Sequence, residues 1–197
     1  MGFKKFYFKE NSNGEYQYSS VQFNVEEDVA TAIKEFGERL PKNAIYTSKD
    51  DPSLGLENQS HCTLLYGIHS TEPDEIRNLA VKIKPFEIEL GNISFFEGEK
   101  DYDVMKIDLK SFGSFFLDDA TDIVCKINEY FRSNVHYTTK WPEYNPHITI
   151  GYIRKSARKE LESKIDLETF KGLKFQVREI MFCPANKGQP VRIPLLY

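Results

Sequence analysis

The chain carries the sequence HCTLLY at residues 61–66 and the sequence HITIGY at residues 147–152. Both follow one pattern: His, any residue, Thr, an aliphatic residue, any residue, Tyr. Of the four His in the 197 residues, two are followed by Thr two positions later. Both stretches are rich in aliphatic and β-branched residues, which is typical of strands. A repeat with one copy in each half of the chain predicts two related structural halves.

The repeated residues can do proton-transfer chemistry. Because side chains alternate along a strand, we expect His61 and Thr63 on one face and Tyr66 on the opposite face, and we expect His147 and Thr149 to share a face. Each pair presents an imidazole and a hydroxyl roughly 6–7 Å apart. An imidazole accepts or donates a proton near neutral pH, and a Thr hydroxyl donates a hydrogen bond to a phosphoryl oxygen. Two such pairs could enclose one tetrahedral anion.

The two motifs, HCTL at 61–64 and HITI at 147–150, resemble those of the two-histidine (2H), LigT-like phosphoesterases. The resemblance covers most of the chain. It implies a bilobal, pseudo-symmetric α+β fold with two mostly antiparallel sheets, flanking helices and a central cleft. It also implies one domain over residues 1–197, built of two intertwined lobes that each contribute one motif strand.

The same resemblance implies metal-independent cleavage of nucleotide phosphodiesters, with no cofactor and no metal site. The wider strings HCTLLYG and NPHITIGY are most similar to the phage and viral branch, whose members degrade cyclic oligonucleotide immune signals such as those of CBASS defence. An RNA 2′,3′-cyclic or 2′,5′-oligonucleotide phosphodiesterase is the enzymatic alternative. A protein that sequesters nucleotides without cleaving them is the non-enzymatic alternative.

His61, Thr63, His147 and Thr149 are the predicted catalytic residues. One neutral His would take a proton from the nucleophile, and the other, protonated, would supply one to the leaving oxygen. The Thr hydroxyls would stabilise charge on the non-bridging oxygens. The sequence does not distinguish the acid from the base.

Five further residues are candidate substrate contacts. Trp141 and Tyr144 precede the second motif and offer flat rings to nucleobases. Tyr18 and Gln22 lie on the polar face of a predicted N-terminal strand. Glu179 interrupts an otherwise apolar and basic strand and could orient a base or ribose, although pairing with a neighbouring Arg or Lys would also explain it.

The remaining sequence predicts an α+β architecture. Apolar residues at helical spacing predict helices over 24–40, about 72–84 and 115–131, and a short one from 156. Asn24 and Glu27 form a capping pair for the first helix. Strand-like segments cover residues 16–25, 61–67, 86–95, 104–109, 147–153, 175–183 and 191–195. Their irregular alternation with the helices favours largely antiparallel or mixed sheets.

Composition limits the partners and the compartment. The 26 Lys+Arg and 30 Asp+Glu leave a net charge of −4, so we expect no long nucleic acid as partner, only a small nucleotide or cyclic oligonucleotide. The basic run from Arg154 to Lys159 could attract such a phosphate-rich ligand. No apolar run predicts a membrane span. Three Cys that match no zinc motif favour a reducing cytoplasm, that of the host for a viral protein. No obligate protein partner is inferred.

Overall fold

The computed structural model describes residues 18–49, 51, 53–98, 101–115, 118–139, 141, 143–185 and 188–196. Its strands are β1 (Ser19–Asn24), β2 (His61–Ile68), β3 (Phe86–Phe96), β4 (Tyr102–Phe115), β5 (Asp118–Thr121), β6 (His147–Arg154), β7 (Lys174–Val177), β8 (Glu179–Cys183) and β9 (Val191–Pro194). Its helices are α1 (Glu27–Glu38), α2 (Asp74–Ala80), α3 (Ile123–Asn134) and α4 (Lys155–Glu162). The α+β class is therefore confirmed.

The strands form two antiparallel sheets. In the first sheet the order is β2-β1-β8-β9. In the second the order is β5-β4-β3-β7, and β6 also pairs with the long strand β4. One motif strand thus belongs to each sheet, as the two-lobed prediction requires.

A core shared by both sheets fills the space behind these strands. Phe23 of β1 meets Phe86 of β3 edge-on at 5.7 Å between ring centroids, and it lies 6.3 Å from Phe175 of β7. Phe23 is fully buried, and Phe86 and Phe175 are almost fully buried. Burial alternates strictly along β1, because Val21 and Phe23 enter the core while Gln22 stays half-exposed.

The two halves of the chain cross over each other. The connection before β2 pairs with β6, where the Tyr46 amide bonds the Tyr152 carbonyl at 2.8 Å and the Tyr152 amide bonds the Gly55 carbonyl at 2.8 Å. The connection before β6 pairs in turn with β2, where the Thr138 amide bonds the Gly67 carbonyl at 2.9 Å. Each motif strand therefore has its outer edge covered by the segment that leads into the other motif.

Gly67 is required at this crossing. Its φ is +97°, and a Cβ placed there would lie 1.9 Å from the Thr138 carbonyl oxygen. Any side chain would therefore force the covering segment away from β2.

Several predicted element boundaries are wrong. Asn24 is the last residue of β1, where it pairs with His61, so it does not cap α1, which begins at Glu27. The predicted helix over 115–131 begins only at Ile123, because Asp118–Thr121 forms β5 against β4; residues 116 and 117 lie outside the described residues. The predicted strand over 175–183 is two strands, separated at Arg178. Residues 16 and 17 of the predicted first strand also lie outside the described residues.

Candidate active site

The start of β6 lies against β2. The backbone N–H of His147 lies close enough to the Cys62 thiol to lower its pKa. The Tyr144 hydroxyl donates to the Thr63 carbonyl oxygen at 2.8 Å and lies 3.8 Å from the Cys62 sulfur. These contacts bring the two motifs together although they are far apart in sequence. His61 is close enough that its charge lowers the pKa of His147.

Both imidazoles are held in the same way. Nδ1 of His61 lies 2.8 Å from the carbonyl oxygen of Gln59, and Nδ1 of His147 lies 2.7 Å from that of Asn145. A carbonyl oxygen only accepts, so each Nδ1 carries the proton of this bond. Nε2 of each ring is then the nitrogen left for proton transfer. The two rings repeat one geometry, in which each bonds the residue two positions earlier.

A β-bulge follows the Thr in each motif. The register with β1 shifts after Thr63, and the register with β4 shifts after Thr149. The extra residue changes the alternation, so Tyr66 lies on the same face as His61 and Thr63. The expectation that Tyr66 takes the opposite face is therefore wrong. The first seven residues of β2 and the first seven of β6 show the same order of buried and half-buried positions.

At each bulge a backbone carbonyl oxygen accepts a hydrogen bond, but the two donors are of different kinds. The Leu64 carbonyl accepts a 2.6 Å hydrogen bond from the side-chain amide of Asn128, a residue of α3 that is 2% exposed. The Ile150 carbonyl accepts a 2.9 Å bond from the backbone amide of Glu57. One bulge thus depends on a side chain and the other on the main chain.

The Thr hydroxyls lie beside the imidazoles. Thr63 and Thr149 are half-buried and stand two residues after the His of their motifs. Within the part of the chain that the structure describes, neither hydroxyl bonds another protein group. Both can therefore donate to an oxyanion bound between the motifs.

The surroundings of His147 are charged. On β4, Asp108 pairs across from His147 and Lys106 pairs across from Thr149. The Lys106 ammonium bonds Asp108 Oδ1 and, at 2.8 Å, the hydroxyl of Ser94, and Lys106 is only 4% exposed. The Phe96 ring meets the His147 imidazole edge-on at 4.8 Å.

These surroundings keep His147 neutral. Burial is the largest cause of the lowered pKa of His147, and the positive charges of Lys106 and His61 lower this pKa further. The Asn145 carbonyl and the Asp108 carboxylate act in the opposite direction but do not outweigh them. A lowered pKa suits a general base at neutral pH.

Cys62 and Tyr144 support the site rather than supplying a nucleophile. Burial raises the pKa of Cys62 to about 12, so its sulfur stays a thiol at neutral pH. Burial also raises the pKa of Tyr144 well above its ordinary value. Both side chains join β2 to the chain that enters β6.

The other predicted substrate contacts lie at separate places in the fold. Gln22 pairs across from Thr63 on the polar face of β1. Tyr18, just before β1, stacks on His69 with 5.1 Å between ring centroids. Trp141 is 44% exposed on the segment that covers β2, and its carbonyl accepts a 3.2 Å bond from Arg132. Glu179 is exposed and forms an ion pair with Arg192 at 3.1 Å.

The basic run after the second motif is partly structural. Arg158 bonds the buried carboxylate of Asp103 at 3.0 Å, and Lys155 lies 3.6 Å from the same group.

Among the described residues, no group of three or more His, Cys, Asp or Glu is placed to hold a metal ion. No helix in the described ranges has the length and apolar content needed to span a bilayer. The three Cys are free thiols.

Lys106, Asp108 and Asn128 were missed by the sequence reasoning. A lone Lys within the apolar run of residues 104–107 was a usable signal, because buried Lys is rare unless it is paired. Nothing in the sequence pairs Asn128 with a bulge in a strand 64 residues earlier.

Comparisons with known proteins bear on the family and the fold of the chain. The family model described as the 2′-5′ RNA ligase superfamily matches residues 25–188. TT0787 of Thermus thermophilus shares the fold at a TM-score of 0.52 and 17% identity, over 90% of this chain and 94% of that one. Usb1 of Kluyveromyces marxianus, solved with uridine monophosphate, matches at 14% identity over 91% of this chain and 98% of that one. The TM-score of this match is 0.46.

No curated protein matches the chain. The family match nevertheless spans both motifs and most of the sequence, and the predicted LigT-like fold is confirmed. The chain therefore belongs to the 2′-5′ RNA ligase superfamily of LigT-like 2H phosphoesterases, and this membership indicates a phosphodiesterase-type enzyme that acts on RNA or nucleotides.

Proposed function

We propose that the protein is a metal-independent phosphodiesterase that cleaves small nucleotides, in particular cyclic oligonucleotide second messengers such as those of CBASS-type immunity. One observation carries the catalytic part of the proposal. Two His–Thr pairs from distant motifs meet where His147 contacts Cys62, and each imidazole is fixed through Nδ1. The similarity of the wider motif strings to the phage and viral branch supports the choice of substrate.

The roles of the two His follow from their surroundings. Neutral His147 takes the proton of the attacking oxygen at Nε2, and that oxygen, from water or a ribose 2′-hydroxyl, forms a bond to phosphorus. The bond between phosphorus and the leaving oxygen breaks, and His61 donates its Nε2 proton to that oxygen. The hydroxyls of Thr63 and Thr149 donate to the non-bridging oxygens as their charge grows.

The experiment is incubation of the protein with a panel of substrates in the presence of EDTA. The panel contains cyclic di- and trinucleotides, linear 2′,5′-oligoadenylate and 2′,3′-cyclic nucleotides, and product masses identify the bond that is broken. We expect EDTA-resistant cleavage of cyclic oligonucleotides, and none by the His61→Ala/His147→Ala variant. Strong EDTA inhibition would reject the metal-independent mechanism.

The same panel tests the alternatives. Cleavage confined to 2′,3′-cyclic or 2′,5′-linked nucleotides would identify an RNA-end or oligoadenylate phosphodiesterase. Stoichiometric retention of an intact ligand, recovered unchanged after denaturation, would identify a sequestering protein and overturn the proposed reaction.

A further inference from the structure

An Asn or an Asp lies opposite each motif imidazole. Asn24 of β1 pairs across from His61, and Asp108 of β4 pairs across from His147. Residues that pair across two antiparallel strands project from the same face, with their Cβ atoms about 4.5–5.5 Å apart. Each imidazole therefore has one short polar side chain beside it, on the face that carries the motif.

These two short side chains are held by their own strands in the same way. Gln22 Nε2 donates to Asn24 Oδ1 at 3.5 Å, and the Lys106 ammonium donates to Asp108 Oδ1. In both strands the donor lies two residues before the acceptor. The end that remains is Nδ2 in Asn24, which is a donor, and Oδ2 in Asp108, which is an acceptor.

Asp108 is held by more contacts than Asn24. Its Oδ1 also accepts a 2.9 Å bond from the Ser94 hydroxyl, and the Phe96 ring covers the Lys106 ammonium at 4.3 Å from its centroid. The ammonium offsets the charge of the carboxylate, so the pair adds no net negative charge that would repel a phosphate. Among the described residues no hydrogen bond reaches Oδ2, and 46% of the Asp108 side-chain surface is exposed.

Asp108 does not orient the imidazole of His147. Nδ1 of that ring already bonds the Asn145 carbonyl oxygen, and within the described ranges Nε2 makes no bond to the carboxylate. Burial lowers the pKa of His147 most, and the charge of Asp108 acts in the opposite direction, so the carboxylate lies close to the ring. Nε2 and Oδ2 are therefore two acceptors that belong to paired residues on one face of the sheet.

Two neighbouring acceptors match one water molecule. Water has two O–H groups, so it can donate one to Nε2 of His147 and the other to Oδ2 of Asp108. A ribose 2′-hydroxyl has a single O–H, which would go to the base and leave Oδ2 without a donor. The remaining end of Asn24, beside His61, is a donor and cannot accept from a water in this way.

We propose that Asp108 is a catalytic residue that holds the attacking water beside His147. The inference rests on the proposed function and narrows its nucleophile to water. The water oxygen forms a bond to phosphorus, one of its protons passes to Nε2 of His147, and the other stays on that oxygen in the new P–O–H group. The bond from phosphorus to the leaving oxygen breaks as His61 gives that oxygen a proton. The product is a linear phosphate monoester and not a 2′,3′-cyclic phosphate.

The wild-type chain tests the nucleophile without any variant. The 3′,5′-linked cyclic diadenylate and its 2′-deoxy counterpart would be incubated in water enriched in ¹⁸O, with product masses followed from the first turnover. We expect cleavage of both, and a product heavier than its substrate by one labelled water. Attack by a ribose 2′-hydroxyl would give a first product of unchanged mass and no cleavage of the deoxy substrate. Either of these results would overturn the inference.

The Asp108→Asn variant tests the residue. Lys106 and Ser94 would hold the oxygen of the new amide, so its NH₂ group, a donor, would face the nucleophile. Above the acid limb of the pH profile, we expect kcat on cyclic diadenylate to fall about 10²-fold with KM unchanged. The matched control is Glu89→Gln, which removes a carboxylate that pairs with Lys110 on the same sheet and should keep the wild-type kcat. A wild-type kcat in folded Asp108→Asn, or an equal loss in Glu89→Gln, would overturn the role of Asp108.

The outcomes separate this inference from the proposed function. Cleavage of cyclic diadenylate to a product of unchanged mass would leave the proposed reaction standing and overturn the attack by water. Turnover of neither cyclic dinucleotide would overturn both. If circular dichroism shows that Asp108→Asn does not fold, Lys106→Met/Asp108→Asn takes its place, because it leaves no buried charge without a partner. The same loss of about 10²-fold in kcat is expected there, and a wild-type kcat would overturn the inference.

Discussion

The two motif strands share their backbone geometry but differ in the strand beside them. On β1, His61 and Thr63 pair across from Asn24 and Gln22, which are neutral amides. On β4, the equivalent positions opposite His147 and Thr149 are Asp108 and Lys106, a carboxylate and an ammonium. The repeat therefore fixes where the imidazoles stand, and the neighbouring strands differ in the charge they place around them.

In the proposed mechanism, this difference allows a near-duplicate pair to perform opposite steps. Acid–base cleavage needs one His neutral and one protonated at the same pH. Burial and Lys106 favour the neutral form of His147. The proposed mechanism therefore assigns the proton donation to His61.

The largest expected effect is the loss of either imidazole. His61→Ala and His147→Ala should each lower kcat on a cyclic dinucleotide by about 10²- to 10⁴-fold, since each removes one proton transfer. The double variant should be little worse than the poorer single variant, because the two groups act in one step. Steady-state kinetics on the three proteins checks this, and fully multiplicative losses would contradict a shared step.

Loss of a Thr hydroxyl should have the next largest effect. Thr63→Val and Thr149→Val should each lower kcat by about 10²- to 10³-fold, because each removes one donor to the developing oxyanion. The matched control is Thr31→Val, whose hydroxyl bonds the Glu27 carbonyl on the exposed side of α1. A loss for Thr31→Val as large as for the motif variants would show that Val harms the fold and not the oxyanion.

The two bulges should differ in their sensitivity to mutation. Asn128→Leu leaves the buried Leu64 carbonyl without its donor and should lower the free energy of unfolding by about 1–3 kcal/mol. The expected loss in Tm is about 2–4 °C for each kcal/mol. Asn134→Leu is the control, since its amide bonds a carbonyl at the exposed end of the same helix. Equal melting temperatures for Asn128→Leu and wild type would contradict the role of Asn128.

The smallest expected effect is a shift in the pH profile. A base must be neutral, so kcat/KM falls below the pKa of His147, which lies under its ordinary 6.5. Lys106→Met removes a positive charge that lowers this pKa, so the acid limb should move to higher pH, by about half a unit to one unit. Asp108→Asn should move it to lower pH, because the carboxylate raises the pKa.

Lys110→Met is the matched control for this shift, since Lys110 lies further along β4, is exposed and pairs with Glu89 of β3. Its acid limb should stay with that of the wild type. If the acid limb of Lys106→Met lies at the same pH as that of the wild type, the protonation of His147 does not set the acid limb.

The sequence alone shows the repeat. It does not show which side chains of the motif strands share a face. The His–x–Thr spacing correctly predicted two strands and the shared face of each pair. Strict alternation then placed Tyr66 on the wrong face, because a bulge is fixed by the partner strand and by donors such as Asn128, which local sequence does not reveal.

Competing local signals explain the other differences. Asn24 and Glu27 have the spacing of a cap, but pairing of Asn24 with His61 extends β1 instead. Ala120 has the spacing of the apolar residues in the predicted helix, yet residues 118–121 pair with β4 and form a strand instead. The charged neighbours of His147 could not be predicted, since the pairing of β4 with β6 is a tertiary contact.

The division of roles between the imidazoles is tested most directly by changing the leaving group. The kcat/KM of His61→Ala and of His147→Ala would be measured on a cyclic dinucleotide and on a nucleoside 3′-(p-nitrophenyl) phosphate, which keeps a 2′-hydroxyl beside its phosphate and whose p-nitrophenolate departs without a proton. We predict that His61→Ala recovers most of the wild-type rate on the activated ester, whereas His147→Ala stays impaired on both substrates. Recovery by His147→Ala but not by His61→Ala would reverse the assignment and contradict this account.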